Sequence, residues 1–133
     1  MNKTNLKKIA MKDVAIAISE DLKNGDITTN LLGKDKNKTT MAFVRSNENA
    51  IFCGKIWFDS TFKYIQKKYG GILKITWLKN DGDIIKPGQK ICKINAPLRT
   101  LLVSERTALN FIQFLSGISS KTRLYTKKMK TKK

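Results

Sequence analysis

Apolar positions along the chain follow helical spacing in some segments and alternate in others, and this pattern predicts a small α+β domain. Helical spacing predicts a first helix over 11–22, ended by Asn24-Gly25, and a second helix after Gly54 that Gly70-Gly71 closes. Alternation and β-forming residues predict four strands, at 39–45, 50–53, 72–78 and 90–94. The order of these elements favours packed helices on an antiparallel sheet of about four strands.

A break at Asn95-Ala96-Pro97 separates the last predicted strand from C-terminal helices. We therefore expect residues 1–97 to form an α/β sandwich, residues 98–128 to form helices that complete it, and residues 129–133 to form a basic, frayed tail. The GDITTN cluster is interpreted as structural, with Asp26 capping the turn that follows it. Without further packing partners, Phe111 or Phe114 is expected to be exposed, which predicts a sticky or marginally stable chain.

Composition excludes several classes of protein. Hydrophobic residues make up 41% of the 133 residues, which suits one domain with its own core. No apolar run approaches the roughly 18 residues of a membrane span, and no secretion signal opens the sequence, so we expect a cytoplasmic protein. The absence of His and of any CxxC pair argues against common zinc sites and against His-dependent catalysis. Cys53 and Cys92 are predicted to be buried free thiols.

The formal net charge of +17 has two interpretations. One is binding of nucleic acid or another polyanion. The other is codon bias, because only four of the 27 basic residues are Arg and the rest are Lys, a residue with A-rich codons. No known nucleic-acid motif accompanies the charge, so we favour the second interpretation.

The helix that contains ERTALNFIQFLSG carries an adjacent Glu and Arg in an apolar setting. At about 100° per residue, Glu105 falls inside the apolar stripe, whereas Arg106 falls on a polar row with Arg99, Asn110 and Gln113. The stripe itself consists of Leu98, Leu101, Ala108, Leu109, Ile112 and Leu115. Either Glu105 satisfies donors inside the domain and Arg106 is an ordinary flanking charge, or Arg106 is held at a surface that meets another subunit.

Four segments in this order, EDLKNGDITTNLL, IFCG, WLKNDGDIIKPGQKICKI and LLVSERTALNFIQFLSGISSKTRLY, resemble the N-terminal part of the quinolinate phosphoribosyltransferase family over residues 11–125. The resemblance implies a dimeric pentosyltransferase of NAD biosynthesis. It would use Mg²⁺ to join quinolinate to phosphoribosyl pyrophosphate and would release pyrophosphate and CO₂. It also implies that Arg106 reaches a substrate carboxylate in the barrel domain of a partner subunit, with Glu105 in a supporting role.

The family's C-terminal barrel, with its catalytic and Mg²⁺-binding residues, is absent from the 133 residues. We therefore expect an N-terminal fragment or subunit with no catalytic residue, no metal of its own and no activity alone. A decayed, a split and a frame-shifted gene each fit this expectation. Two other functions stay open: a basic nucleic-acid-binding module, and a fragment of the paralogue linked to molybdenum transport.

Overall fold

A computed structural model of the chain describes the backbone of residues 3–30 and 32–131 and the side chains of residues 4–19 and 32–119. The elements in chain order are α1 (Lys3–Asn30), a 3₁₀ turn (Gly33–Asn37), β1 (Thr39–Arg45), β2 (Ala50–Ile51), α2 (Lys55–Tyr69), β3 (Lys74–Trp77), β4 (Ile84–Ile85), β5 (Lys90–Pro97) and α3 (Leu98–Thr131). The predicted α+β class with antiparallel pairing is confirmed.

The strands form a three-stranded sheet in the order β1-β5-β3 and a separate ribbon of β2 and β4, all antiparallel. β5 lies in the centre of the larger sheet, where Cys92 is opposite Val44 on one side and Trp77 on the other. The predicted strand at 50–53 therefore pairs outside the main sheet, with a short strand that the sequence pattern did not indicate.

The core lies where α2 and α3 cover one face of this sheet. Its buried side chains come from both helices, from β5 and β4, and from the residue after β2, namely Phe52, Phe58, Phe62, Ile85, Ile91, Cys92, Ile94, Ala96, Leu101, Ala108 and Ile112. Phe58 packs against Phe62 and against the edge of Trp77, with ring centroids 5.0 and 5.2 Å apart. Each fully buried Phe contributes about 1.5–3 kcal/mol of transfer free energy, so Phe58 and Phe62 of α2 stabilise the core.

Three predicted element boundaries are wrong, and the first is the start of α1, which lies at Lys3 and not at residue 11. α1 does not end at Asn24-Gly25 but continues to Asn30, because one helical Gly costs only about 1 kcal/mol relative to Ala and does not by itself stop propagation. Asn95-Ala96-Pro97 does not break the sheet, since all three residues belong to β5 and Pro97 pairs with Thr39. Proline is tolerated there because it is the last residue of the strand.

α3 is one continuous helix in place of the predicted C-terminal helices, and it extends into the predicted basic tail as far as Thr131. The predicted capping role of Asp26 concerns a side chain outside the described residues. Within the described ranges, none of the helices combines the length and hydrophobicity that a bilayer crossing requires.

Candidate functional site

α3 has one buried and one exposed face along 98–119, and the buried face includes several small polar residues. The buried residues of α3 are Thr100, Leu101, Val103, Ser104, Thr107, Ala108, Ile112 and Ser116. Thr100 and Ser104 are 0% exposed and Thr107 is 2% exposed. Because these hydroxyl residues are buried, the buried side of the helix is displaced from where its Leu and Ile residues alone would place it.

Arg106 lies on the exposed face, as predicted from the helical wheel. Asn110 and Gln113 lie on the same face and are also exposed, and Leu102 adds an apolar group one turn earlier. Among the described residues, no hydrogen bond or ion pair engages the Arg106 guanidinium. Its five N–H donors are therefore available to a ligand or to another chain.

The prediction that Glu105 faces the interior is wrong, because its side chain is exposed. Burial of Thr100, Ser104 and Thr107 turns the helix so that Glu105 comes to the edge of the contact with β1. There it lines a cavity of about 220 Å³ together with Arg45 and an apolar wall that includes Phe43 and Leu109. A carboxylate in this position stays in water and does not need the buried partner that the sequence pattern implied.

Arg99, which the sequence places on the same row as Arg106, has a different environment. Its side chain is half-buried, and its guanidinium carbon lies 4.6 Å from the centre of the Tyr69 ring, as in a cation–π contact. Arg99 Nε is buried and has no hydrogen-bond partner among the described residues. The row of polar residues on α3 is therefore divided, because Arg99 packs on Tyr69 whereas Arg106 is exposed.

The middle of α3 is fixed against the segment between β2 and α2. Gly54 adopts φ +113°, and a Cβ atom added there would lie 3.1 Å from Leu115 Cδ1 and 3.3 Å from Ile112 Cγ2. Beside this contact, Ser116 Oγ accepts the Cys53 N–H at 3.0 Å and donates to the Cys53 carbonyl at 3.2 Å. These contacts hold the part of the helix that follows Arg106 on the body of the domain.

The DGD sequence between β3 and β4 is structural. Asp81 Oδ1 accepts the backbone N–H groups of Gly54 and Lys55 at 3.0 and 3.2 Å, so it caps the N-terminus of α2 from 26–27 residues away. Gly82, at φ +94°, donates its N–H to the Phe52 carbonyl at 2.8 Å. A cap that is supplied by a loop distant in sequence from the helix leaves no local sequence pattern.

Neither cysteine has the environment of a reactive thiol. Both are free, and Cys92 is buried as predicted, but Cys53 is half-buried. Burial raises the pKa of Cys92 to about 12. Burial and the nearby Asp81 charge raise the pKa of Cys53, so both thiols stay protonated near neutral pH.

Metal-ligating side chains do not gather at one place among the described residues. Among them, no three His, Cys, Asp or Glu side chains converge to form a metal cluster. Mg²⁺ prefers near-octahedral oxygen ligands, and the acids nearest the candidate site serve other contacts or face solvent.

Comparison with known proteins supports a single family. The model of the family described as quinolinate phosphoribosyl transferase, N-terminal domain, matches residues 26–116. The probable carboxylating nicotinate-nucleotide pyrophosphorylase of Methanocaldococcus jannaschii is 33% identical over 95% of this chain and 41% of its own length. The corresponding protein of Bacillus subtilis is 31% identical over 92% of this chain and 39% of its own length.

Solved structures show the same likeness. The nicotinate-nucleotide pyrophosphorylase of Francisella tularensis aligns with a TM-score of 0.76 and 32% identity over 86% of this chain and 38% of its own. That of Ehrlichia chaffeensis aligns with a TM-score of 0.73 and 33% identity over 87% of this chain and 40% of its own. The chain thus spans about two fifths of the length of each of these four relatives. Since a family model matches more than half of the chain, the chain belongs to the family of quinolinate phosphoribosyltransferase N-terminal domains.

Proposed function

We propose that the chain serves as the N-terminal domain or subunit of a cytoplasmic quinolinate phosphoribosyltransferase. This enzyme converts quinolinate and phosphoribosyl pyrophosphate to nicotinate mononucleotide, CO₂ and pyrophosphate in NAD biosynthesis. A barrel domain, in a separate chain or in a homodimer partner, provides the catalytic residues and holds Mg²⁺. The chain alone is inactive.

In this proposal Arg106 binds a carboxylate of quinolinate that the partner's barrel holds. The observation that carries the proposal is the exposed guanidinium, which no described residue neutralises, on a helix packed firmly against its own core. A planar guanidinium can donate two parallel N–H bonds to one carboxylate, so it recognises both charge and orientation. Docking of the barrel would remove water from this pair and strengthen it.

The flanking residues on α3 support the same arrangement. Asn110 and Gln113 are exposed beside Arg106 and can hydrogen-bond to a partner surface, and Leu102 can pack against it. Glu105, exposed one residue away, does not contact Arg106 in an ion pair among the described residues. Its supporting role is therefore to border the partner surface and not to orient the guanidinium.

The test combines the chain with the barrel domain of a relative such as the Bacillus subtilis protein and measures turnover against quinolinate concentration. Arg106→Ala should weaken binding of quinolinate by about 1.5–3 kcal/mol, which is roughly a 10- to 150-fold rise in its apparent dissociation constant. Arg106→Lys keeps the charge but loses the planar fork, so it should fall between the wild-type and Ala proteins.

Arg45→Ala is the matched control, because Arg45 is also exposed but lies at the end of β1. It removes the same charge and should leave the quinolinate dependence unchanged. Size-exclusion chromatography should first show that each variant still binds the barrel domain. Unchanged quinolinate binding by an assembled Arg106→Ala enzyme would reject the role of Arg106.

A further inference from the structure

A second cavity lies at the start of α3, away from the face that carries Arg106. It has a volume of about 230 Å³ and is lined by Asn37, Tyr69, Gly70, Gly71, Pro97, Arg99 and Thr100. No acidic side chain belongs to this wall. Since a water molecule occupies roughly 30 Å³ in the liquid, the cavity has room for a polyatomic ion.

The backbone at this cavity presents hydrogen-bond donors. β5 ends at Pro97 and α3 begins at Leu98, whose N–H donates to the Lys38 carbonyl at 2.9 Å. The next two N–H groups, those of Arg99 and Thr100, have no acceptor within the helix because they belong to its first turn. The helix dipole adds partial positive charge at the same end.

Two of the residues that line the cavity carry a buried side-chain donor with no partner among the described residues. Thr100 is 0% exposed, and its Oγ1 is buried without a hydrogen bond. Arg99 Nε is also buried without a hydrogen bond. A buried donor that makes no hydrogen bond costs about 1–3 kcal/mol, so these two groups point to a missing acceptor. Ser104 Oγ is also unpartnered, but Ser104 does not line the cavity.

The surrounding residues fix the position of the Arg99 guanidinium. The Arg99 guanidinium is packed on the Tyr69 ring at 4.6 Å, and Lys68 Nζ lies 5.6 Å from the centre of the same ring. Gly70 and Gly71 adopt φ +76° and +91° and form the opposite wall. A Cβ atom on Gly71 would lie 2.5 Å from Pro97 Cγ, so the two segments approach each other more closely than other residues allow.

From this arrangement we propose that the cavity at the N-terminus of α3 binds a phosphate-class oxyanion, with Thr100 Oγ1, Arg99 Nε and the first helical N–H groups as donors. Every group assigned to it is a donor and none is a carboxylate, which selects for an anion that accepts several hydrogen bonds. The ion can be inorganic phosphate or the phosphoryl group of a larger molecule, since both offer the same oxygens.

The experiment is a ¹H–¹⁵N NMR titration of the full chain with sodium phosphate, against sodium chloride at matched ionic strength. Saturable shifts of the Gly70, Gly71, Arg99 and Thr100 amides with phosphate, and not with chloride, are expected. Glycerol phosphate, titrated separately, represents a phosphoryl group on a larger molecule. Saturation with either phosphate compound supports the proposal, and saturation with neither overturns it.

Two pairs of variants separate the site from the general positive charge. Thr100→Val and Ser104→Ala each remove an unpartnered buried hydroxyl from α3, but only Thr100 lines the cavity. Arg99→Gln and Arg106→Gln each remove one charge from the same helix. We expect Thr100→Val to weaken phosphate binding about 5-fold or more and Arg99→Gln about 10-fold or more, losses of the size of one neutral and one charge-assisted hydrogen bond. The two controls should bind as the wild type does.

Equal losses within either pair would show that binding follows overall charge or fold, and this result would overturn the proposal. If Arg99→Gln does not fold, the amide shifts of the wild-type chain still decide the question. A crystal structure in which Thr100 Oγ1 and Arg99 Nε both bond to groups of the chain itself would also overturn it. The result is independent of quinolinate recognition, because Arg106→Gln leaves this cavity intact.

Discussion

Gly54 is a residue at which both the backbone and the packing against α3 depend on the absence of a side chain. Its φ of +113° is unfavourable for other residues, and an added Cβ would also meet Leu115 and Ile112 of α3. Gly82 has a similar φ of +94°, but an added Cβ there would meet nothing within 4 Å. Substitutions at the two glycines therefore distinguish the effect of backbone strain from the effect of steric contact.

Gly82→Ala should lower the free energy of unfolding by about 1 kcal/mol through backbone strain alone. Gly54→Ala should lower it by a further 1–3 kcal/mol, roughly the cost of overpacking a core contact. Urea unfolding followed by circular dichroism measures both. If the two variants are equally stable, the contact with α3 does not add to the cost of a side chain at position 54.

Asp59 makes the free energy of unfolding depend on pH. Its carboxylate accepts the Trp77 Nε1–H at 2.9 Å, and burial raises its pKa from the ordinary 3.8, although the Trp77 bond and the charges of Lys63 and Lys55 oppose the shift. The folded chain therefore keeps a proton that the unfolded chain releases. The free energy of unfolding must fall as the pH rises from about 3.8 through the folded pKa.

Asp59→Asn removes this titration and keeps an oxygen that can accept the Trp77 bond. The variant should gain stability over the wild type as the pH rises to 7, and the difference should shrink as the pH falls towards 3.8, the ordinary pKa. Urea unfolding at several pH values measures the difference. A difference that does not change between these pH values would show that Asp59 titrates alike in both states.

At the residue scale, the sequence correctly predicted the exposure of Arg106 and failed for Glu105. A helical wheel assigns burial by apolarity, and Arg106 lies far enough from the apolar stripe to be exposed under any small rotation. Glu105 lies inside that stripe on the wheel, and it is exposed because the buried face of α3 is displaced towards Thr100 and Ser104. Small hydroxyl residues are compatible with both environments, and their burial depends on tertiary packing that the sequence pattern does not contain.

At the scale of elements, Asp81 connects the β3–β4 loop to α2. Asp81→Ala removes the acceptor for the Gly54 and Lys55 N–H groups and should lower the free energy of unfolding by about 0.5–2 kcal/mol. Asp81→Asn keeps an oxygen acceptor and should lose less. Asp35→Ala is the matched control, because Asp35 is exposed in the 3₁₀ turn and its side chain caps no helix in the described part of the chain.

Urea unfolding of the three variants gives the comparison. Equal stability of Asp81→Ala and Asp35→Ala would contradict the capping role. The contact between a loop and a helix that lie 26 residues apart also explains why the element boundaries were predicted better than their partners. β1 has the predicted bounds, but nothing local in the sequence indicates that β2 pairs with β4 instead of joining the main sheet.

At the scale of the whole molecule, exposed apolar side chains and a large positive charge act against each other. Phe114 is 68% exposed and Ile118 is 50% exposed, one helical turn apart on α3, which confirms the prediction of exposure for Phe114. Such a patch favours association with another surface. The net charge of +17 repels a second copy of the chain. The balance between them is set by ionic strength, because salt screens the charges and leaves the apolar contact intact.

The chain should therefore self-associate more strongly as salt is added, and sedimentation velocity over a range of concentrations measures this. The Debye length falls from about 30 Å at 0.01 M to about 8 Å at 0.15 M ionic strength, so most of the change should occur within this range. Phe114→Gln should reduce the association. Met41→Gln is the control, because it removes another exposed apolar side chain, 54% exposed on β1. A wild-type chain that stays monomeric at both salt concentrations and melts sharply and reversibly would contradict the role of the Phe114 patch. Such a result would show that the patch provides no attraction for charge repulsion to oppose.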